Sequence, residues 1–142
     1  MIGKDPARLD EKNRLFVPAK LRDELGADFY VTLGFNCGRR CLTVYTAADW
    51  AKMNENFNNL SISQRSGPTS LIFTNASQCN PDKQFRFGLP QFLLDYAGIG
   101  RDVMIVGRAC QAEIWNADEY KAYEEENLTP EKLLASLEAI GL

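Results

Sequence analysis

Histidine is absent from the 142 residues of this chain. That removes the side chain titrating nearest neutral pH, the Ser-His-Asp and Cys-His nucleophile arrangements, and the commonest nitrogen ligand of zinc. Cysteine is sparse: of Cys37, Cys41, Cys79 and Cys110, only the first two stand close, as C-x3-C. A four-thiolate site would need two distant single ligands, so neither a metal nor any other cofactor is expected. With no secretory signal, the thiols are expected to stay reduced and to pack as small hydrophobes. No apolar run approaches the roughly 20 residues of a membrane helix, and the opening MIGKDPARLDEKNR is charged where a signal peptide is apolar. The sequence reads as soluble and cytoplasmic, with no membrane partner. No Gly-rich phosphate loop or nucleophile elbow is present either, which argues against an enzyme.

What is present is ordinary globular material, 45% hydrophobic, 25% charged and 11% aromatic, in a length that suits one modest core. The net charge of −3 is unevenly spread. Residues 1–46 carry eight Lys/Arg against six Asp/Glu, residues 47–116 six against six, and residues 117–142 two against seven. The acidity belongs to the C-terminus, while Lys12–Arg22 holds four cations, Lys12, Arg14, Lys20 and Arg22, and no acid. A local basic face can meet phosphate even on an acidic chain.

The chain repeats itself at an offset of 72 residues. Asp10–Gly26 laid on Asp82–Gly98 matches at Asp10/Asp82, Arg14/Arg86, Pro18/Pro90, Leu21/Leu93, Asp23/Asp95 and Gly26/Gly98. Six identities in 17 positions exceed the one or so that residue frequencies of roughly 6% would give. The pattern continues from Leu33-Gly34 to Val106-Gly107 and from Tyr45–Trp50 to Trp115–Tyr120, so the chain reads as a tandem duplication.

Each copy predicts a short strand (Arg14–Val17; Arg86–Leu89) running into a proline at a helix start. A two-turn helix (Ala19–Leu25; Gln91–Ala97) should follow, stopped by Gly26 or Gly98. Two more strands come next, Phe29–Leu33 and Cys41–Tyr45 in the first copy, Val103–Val106 and Ala112–Trp115 in the second. Thr46 and Asn116 are then suited to cap a second helix. Trp50, Trp115, Tyr45 and Tyr120 occupy matching positions and read as core. The organisation expected is repeat 1 over residues 5–52, a linker over 53–76, repeat 2 over 77–122 and an acidic tail over 123–142. In that tail Thr129 caps a helix with Leu133, Leu134, Leu137 and Ile140 at helical spacing. Units of this size do not bury both faces of a sheet alone. The fold class expected is mainly β with short helices (α+β), the two copies packed into one pseudo-symmetric barrel or interleaved sheet.

The segment Asp10-Glu-Lys-Asn-Arg14-Leu-Phe-Val-Pro18-Ala-Lys20, with Cys41–Tyr45, Trp50, Asp82–Arg86 and Glu113–Trp115, resembles the MraZ family of bacterial transcriptional regulators, built from two tandem SpoVT/AbrB-like DNA-binding units. The resemblance runs over residues 5–122, and the doubled D-x3-R, each followed four residues later by Pro, is its most specific part. It implies a swapped-hairpin β-barrel, a ring of several chains, association with the nucleoid, and binding to short repeated boxes of double-stranded DNA upstream of the division and cell-wall gene cluster, usually in repression. The family's loop usually has Gly before the Arg. Asn13 stands there in the first copy and tolerates a left-handed backbone, but Phe85 stands there in the second, where such a backbone is costly. The second loop is therefore expected to take another shape.

On these grounds Lys12, Asn13, Arg14, Lys20 and Arg22 are the candidate DNA-binding residues. An arginine fork can reach guanine O6 and N7, and flexible lysines suit phosphate. Asp10, Asp82 and Arg86 are assigned structural roles, each aspartate closing its own loop on the arginine four residues later. The competing reading is an AbrB-like assembly or antitoxin-type interaction module without a DNA-reading role. A disordered partner-binding tail would mark it, where this tail reads as a capped amphipathic helix.

Overall fold

In the computed structural model, which describes residues 1–141, each D-x3-R segment ends in a three-residue strand, β2 (Arg14–Phe16) and β6 (Arg86–Gly88). The remaining strands are β1 (Lys4–Arg8), β3 (Phe29–Asn36), β4 (Arg39–Thr46), β5 (Ser77–Cys79), β7 (Asp102–Arg108) and β8 (Gln111–Asn116). A 3-10 turn at Ala19–Leu21 leads into α1 (Arg22–Leu25). The other helices are α2 (Ala47–Asn58), α3 (Pro68–Thr74), α4 (Gln91–Tyr96), α5 (Ala117–Asn127) and α6 (Pro130–Ile140). Leu142, the last residue of the expected tail, lies outside the described residues.

Six strands form one antiparallel sheet in the order β1-β7-β8-β4-β3-β5, and β2 pairs with β6 in a separate two-stranded ribbon. The sheet order carries the duplication as a pseudo-dyad between β8 and β4. The strand preceding the first motif, β1, pairs with the second copy's β7, and the strand preceding the second motif, β5, pairs with the first copy's β3. Each copy thus supplies an edge strand to the other. Leu15 and Phe87, the central residues of the ribbon, are buried in the same core as Phe29, Val31, Leu42, Leu93, Leu94 and Ile114. Phe29 and Phe87 meet edge to face at 5.1 Å.

Most local expectations hold within a residue or two at the ends of elements. Thr46 and Asn116 accept from the main-chain N–H groups of Asp49 (3.2 Å) and Glu119 (3.1 Å), capping α2 and α5. Gly26 (φ 69°) and Gly98 (φ 64°) take positive φ after the first helix of each copy. Pro18 and Pro90 sit one residue earlier than a first helical position, with extended backbones. Their carbonyls accept from Leu21 (2.9 Å) and Leu93 (3.1 Å). Trp50 and Trp115 are buried. Tyr30 stacks on Trp50 at 5.0 Å, and Tyr123 lies 4.9 Å from Trp115. The buried Glu113 accepts from Trp115 Nε1 (3.2 Å) and Arg108 Nη1 (3.3 Å).

Elsewhere the elements differ from those the sequence suggests. The interval read as linker contains the end of α2 and all of α3, whose Phe73 packs 5.2 Å from Trp50. The strands β1 and β5 were not foreseen: one carries Pro6 and the other is a three-residue Ser-Gln-Cys, so neither has the apolar alternation of a strand. The cysteines divide. Cys41 and Cys79 are buried, and burial pushes the Cys79 thiol up to about 12, but Cys37 and Cys110 lie exposed in the turns between β3 and β4 and between β7 and β8.

Candidate nucleic-acid interface

Asp10 organises the first loop through both carboxylate oxygens. Its Oδ1 accepts from the main-chain N–H groups of Lys12 and Arg14, each at 2.9 Å, and its Oδ2 accepts from Arg14 Nε at 2.7 Å. Asp10 N–H donates to Arg14 O (3.0 Å) and Asn13 N–H to Asp10 O (3.1 Å), closing a turn with Asn13 at φ 57°. Burial alone would raise the Asp10 pKa, but the main-chain and side-chain bonds from Arg14 and the Lys12 N–H outweigh it and hold it below the usual carboxylate value.

The second loop repeats this arrangement bond for bond. Asp82 Oδ1 accepts from Gln84 N–H (2.9 Å) and Arg86 N–H (3.0 Å), and Oδ2 from Arg86 Nε (2.9 Å). Asp82 N–H donates to Arg86 O and Phe85 N–H to Asp82 O, both at 2.9 Å. The Arg86 N–H, above all, holds the Asp82 carboxyl below its usual value. Phe85 adopts φ 62°, so the expectation of a different loop shape is overturned. A left-handed backbone costs a non-glycine residue roughly 1–2 kcal/mol. Phe85 is held there from three sides: its N–H by Asp82, its carbonyl by the N–H of Val17 (2.8 Å), and its ring by the Arg22 guanidinium 4.0 Å from the centroid.

Each loop is thereby braced by the opposite copy. Arg22, after the first motif, donates through Nε to Val17 O (3.0 Å) and covers Phe85 of the second loop. Asn13 of the first loop donates to Gln91 Oε1 on α4 (3.2 Å), and its carbonyl accepts from Leu89 N–H (3.0 Å).

The ribbon fixes where the arginines face. Leu15 stands opposite Phe87, Arg14 opposite Gly88 and Phe16 opposite Arg86. Since Leu15 and Phe87 point into the core, strand alternation puts Arg14, Phe16, Arg86 and Gly88 together on the outward face. Arg14 and Arg86 use Nε on their own aspartates. Among the described residues, the terminal nitrogens of neither guanidinium meet a hydrogen-bonding partner, which leaves each fork free to take two acceptors. Lys12 and Lys83 are exposed on the loops beside them. Lys20 is paired with Asp5 at 3.0 Å, and Arg22 is committed to Val17 and Phe85.

Of the candidate residues, Lys12, Asn13 and Arg14 lie in one loop next to the ribbon, and Arg86, assigned a structural role from sequence, lies in an equivalent place. Phe16 and Gly88 share the outward face without having been singled out. The signal was there, in the alternation of Arg-Leu-Phe and Arg-Phe-Gly around one buried residue each. Among the described residues, no helix is long and apolar enough to cross a membrane.

The family model described as "MraZ protein, putative antitoxin-like" matches residues 2–69 and again residues 72–135. A protein of Caldicellulosiruptor bescii named Transcriptional regulator MraZ is 33% identical over 145 residues, covering 100% of this chain and 99% of its own length. Proteins of the same name from Finegoldia magna and Clostridium tetani are 36% identical over 121 residues (84% of this chain, 82% of theirs) and 30% identical over 143 residues (99% of both).

Proposed function

The chain belongs to the MraZ family of transcriptional regulators, and we propose that it regulates transcription by reading double-stranded DNA with the outward face of the β2–β6 ribbon. The observation that carries this is the pair of half-buried arginines on the outward face of one ribbon, each with its Nε held by an aspartate and, among the described residues, its two terminal nitrogens without a hydrogen-bonding partner. A two-stranded ribbon fits the major groove, and an arginine fork fixed by a carboxylate is pre-set for the two acceptors on one edge of guanine. Lys12 and Lys83 contact phosphate on either side. Lys20 adds a phosphate contact once it leaves Asp5, and Arg22 serves the site by holding Phe85 and so the second loop. Asn13 keeps the first loop turned. The equal geometry of the loops supports Arg86 as a second reader, where the sequence alone gave that role to Arg14.

A single such ribbon on a chain of net charge −3 binds weakly. Several chains in a closed homo-oligomer would place their ribbons on successive short boxes and gain affinity through effective concentration. The exposed stripe of Leu133, Leu134, Leu137 and Ile140 on α6 supports contact between chains. Occupancy of boxes upstream of a division and cell-wall gene cluster would act as repression. The test is a mobility-shift titration of the DNA upstream of the chain's own gene across a salt series. Sequence-selective binding that weakens linearly in log salt is expected, and equal affinity for scrambled DNA overturns the reading.

A further inference from the structure

The outward face of the ribbon is not symmetric, although the loops that flank it are. Arg14 has Gly88 across from it, and a Cβ added at Gly88 would lie 3.7 Å from Arg14 Cγ. Arg86 has Phe16 across from it, and Phe16 is 56% exposed on a face otherwise set with charged side chains. Its inward neighbour Leu15 is fully buried, so no rotation of the strand can put both side chains in the core. Phe16 also borders an open surface hollow in which Pro6, Pro18 and Ala19 stand beside the charged Asp5, Arg8 and Lys20. An apolar ring thus stands beside an arginine fork at one end of the ribbon, and a bare glycine stands beside the other.

We infer that Phe16 is a specificity-determining residue that packs against the 5-methyl group of a thymine next to the guanine taken by Arg86. This rests on the DNA-reading proposed above and names the base chemistry that one end of that site selects. In the major groove the thymine methyl is the one apolar group that projects from the base edge; the C–H edges of the other bases stand flush, and the remaining features are hydrogen-bond donors or acceptors. Phe16 offers no hydrogen bond, so the methyl is the partner that rewards its exposure. The Gly88 end, having no side chain, exerts no such choice. Each bound ribbon therefore reads an unsymmetrical site, with a thymine preference at one end only.

The experiment starts from duplexes selected by the full-length protein out of a random library. Each thymine of the selected site is then replaced singly by deoxyuridine, which removes the methyl and leaves base pairing intact. Affinities are measured at fixed salt for the unaltered protein, Phe16→Ala and Phe16→Leu, with thermal melts of each. At one thymine the unaltered protein should lose about fourfold in affinity, the worth of one buried methyl group. Phe16→Ala should bind thymine and uracil duplexes alike, and Phe16→Leu should keep part of the difference. A deoxyuridine effect that is absent at every position, or that survives intact in a folded Phe16→Ala protein, overturns the inference and leaves DNA reading standing. Failure of the library to enrich any duplex overturns the DNA reading, and this inference with it.

Discussion

The first loop turns on Asn13 and the second on Phe85, yet the two make the same hydrogen bonds around Asp10 and Asp82. Asparagine reaches the left-handed region at little cost, while phenylalanine is there because Arg22, Val17 and Asp82 leave it no better place. The comparison teaches that loop shape is set here by the aspartate and by bonds from the opposite copy, with local backbone preference secondary. The copies differ instead in what surrounds the shared turn: four cations follow Asp10 within Lys12–Arg22, whereas Phe92 and Leu94 stand in the second copy where Lys20 and Arg22 stand in the first.

Substitutions at the ribbon's buried centre break both loops together and should have the largest effect. Phe87→Ala is expected to destabilise the protein by about 3–5 kcal/mol and Leu15→Ala by about 2–5 kcal/mol, as read from denaturant midpoints. A loss under 1 kcal/mol in either would mean that the ribbon is not part of the core. The arginines come next. Arg14→Ala should weaken binding to the selected duplex by about 1–3 kcal/mol per engaged subunit and relax base preference, while leaving the melting temperature nearly unchanged. Arg86→Ala should show the same kind of loss to a smaller extent, given fewer cations nearby. Normal binding by Arg86→Ala would return that residue to a purely structural role, and normal binding by Arg14→Ala would move the reading face to the second copy.

The brace on Phe85 can be isolated by a double-mutant cycle. Arg22→Ala should cost about 0.5–1 kcal/mol in the unaltered chain and distinctly less in a Phe85→Asn background, where neither ring nor strain remains. Equal costs in both would show that the guanidinium acts through Val17 alone. Acid titration should show the smallest effect. Both loop aspartates have folded pKa values below the usual 3.8, so the stability they contribute is complete above that value and is lost as pH falls through the lower folded values. Asp10→Asn or Asp82→Asn should each flatten this acid limb by a similar amount, and a change in only one would mean that the loops are not electrostatically equivalent.

The caps at Thr46 and Asn116 and the four long strands were legible because each rests on residues within a few positions of one another, and the duplication, with its paired aromatic positions, because the same residue types recur in the same order in both halves. The edge strands were not. Lys4–Arg8 and Ser77–Cys79 are strands because partners a hundred or nearly fifty residues away offer free main-chain groups, and nothing in their own composition says so. Of the candidate site, the loop residues and the aspartate–arginine pairing could be foreseen from the D-x3-R spacing. The shape of the second loop could not, because its cause, Arg22, lies in the other copy. Phe16 went unnoticed for a related reason: which residues share a face with Arg86 depends on pairing with a strand 72 residues away in the repeat.

The exchange of edge strands sets a clock on the making of the protein. Lys4 pairs with Val106, so at 5–20 residues per second the first strand leaves the ribosome about 5–20 s before its partner exists. Until residues 77–88 have followed, the first copy has β3 and β4 but neither β5 nor the second half of its ribbon. The nascent chain must wait with an open sheet edge, and in the crowd around a polysome the neighbour best able to supply a matching strand too early is another copy of itself.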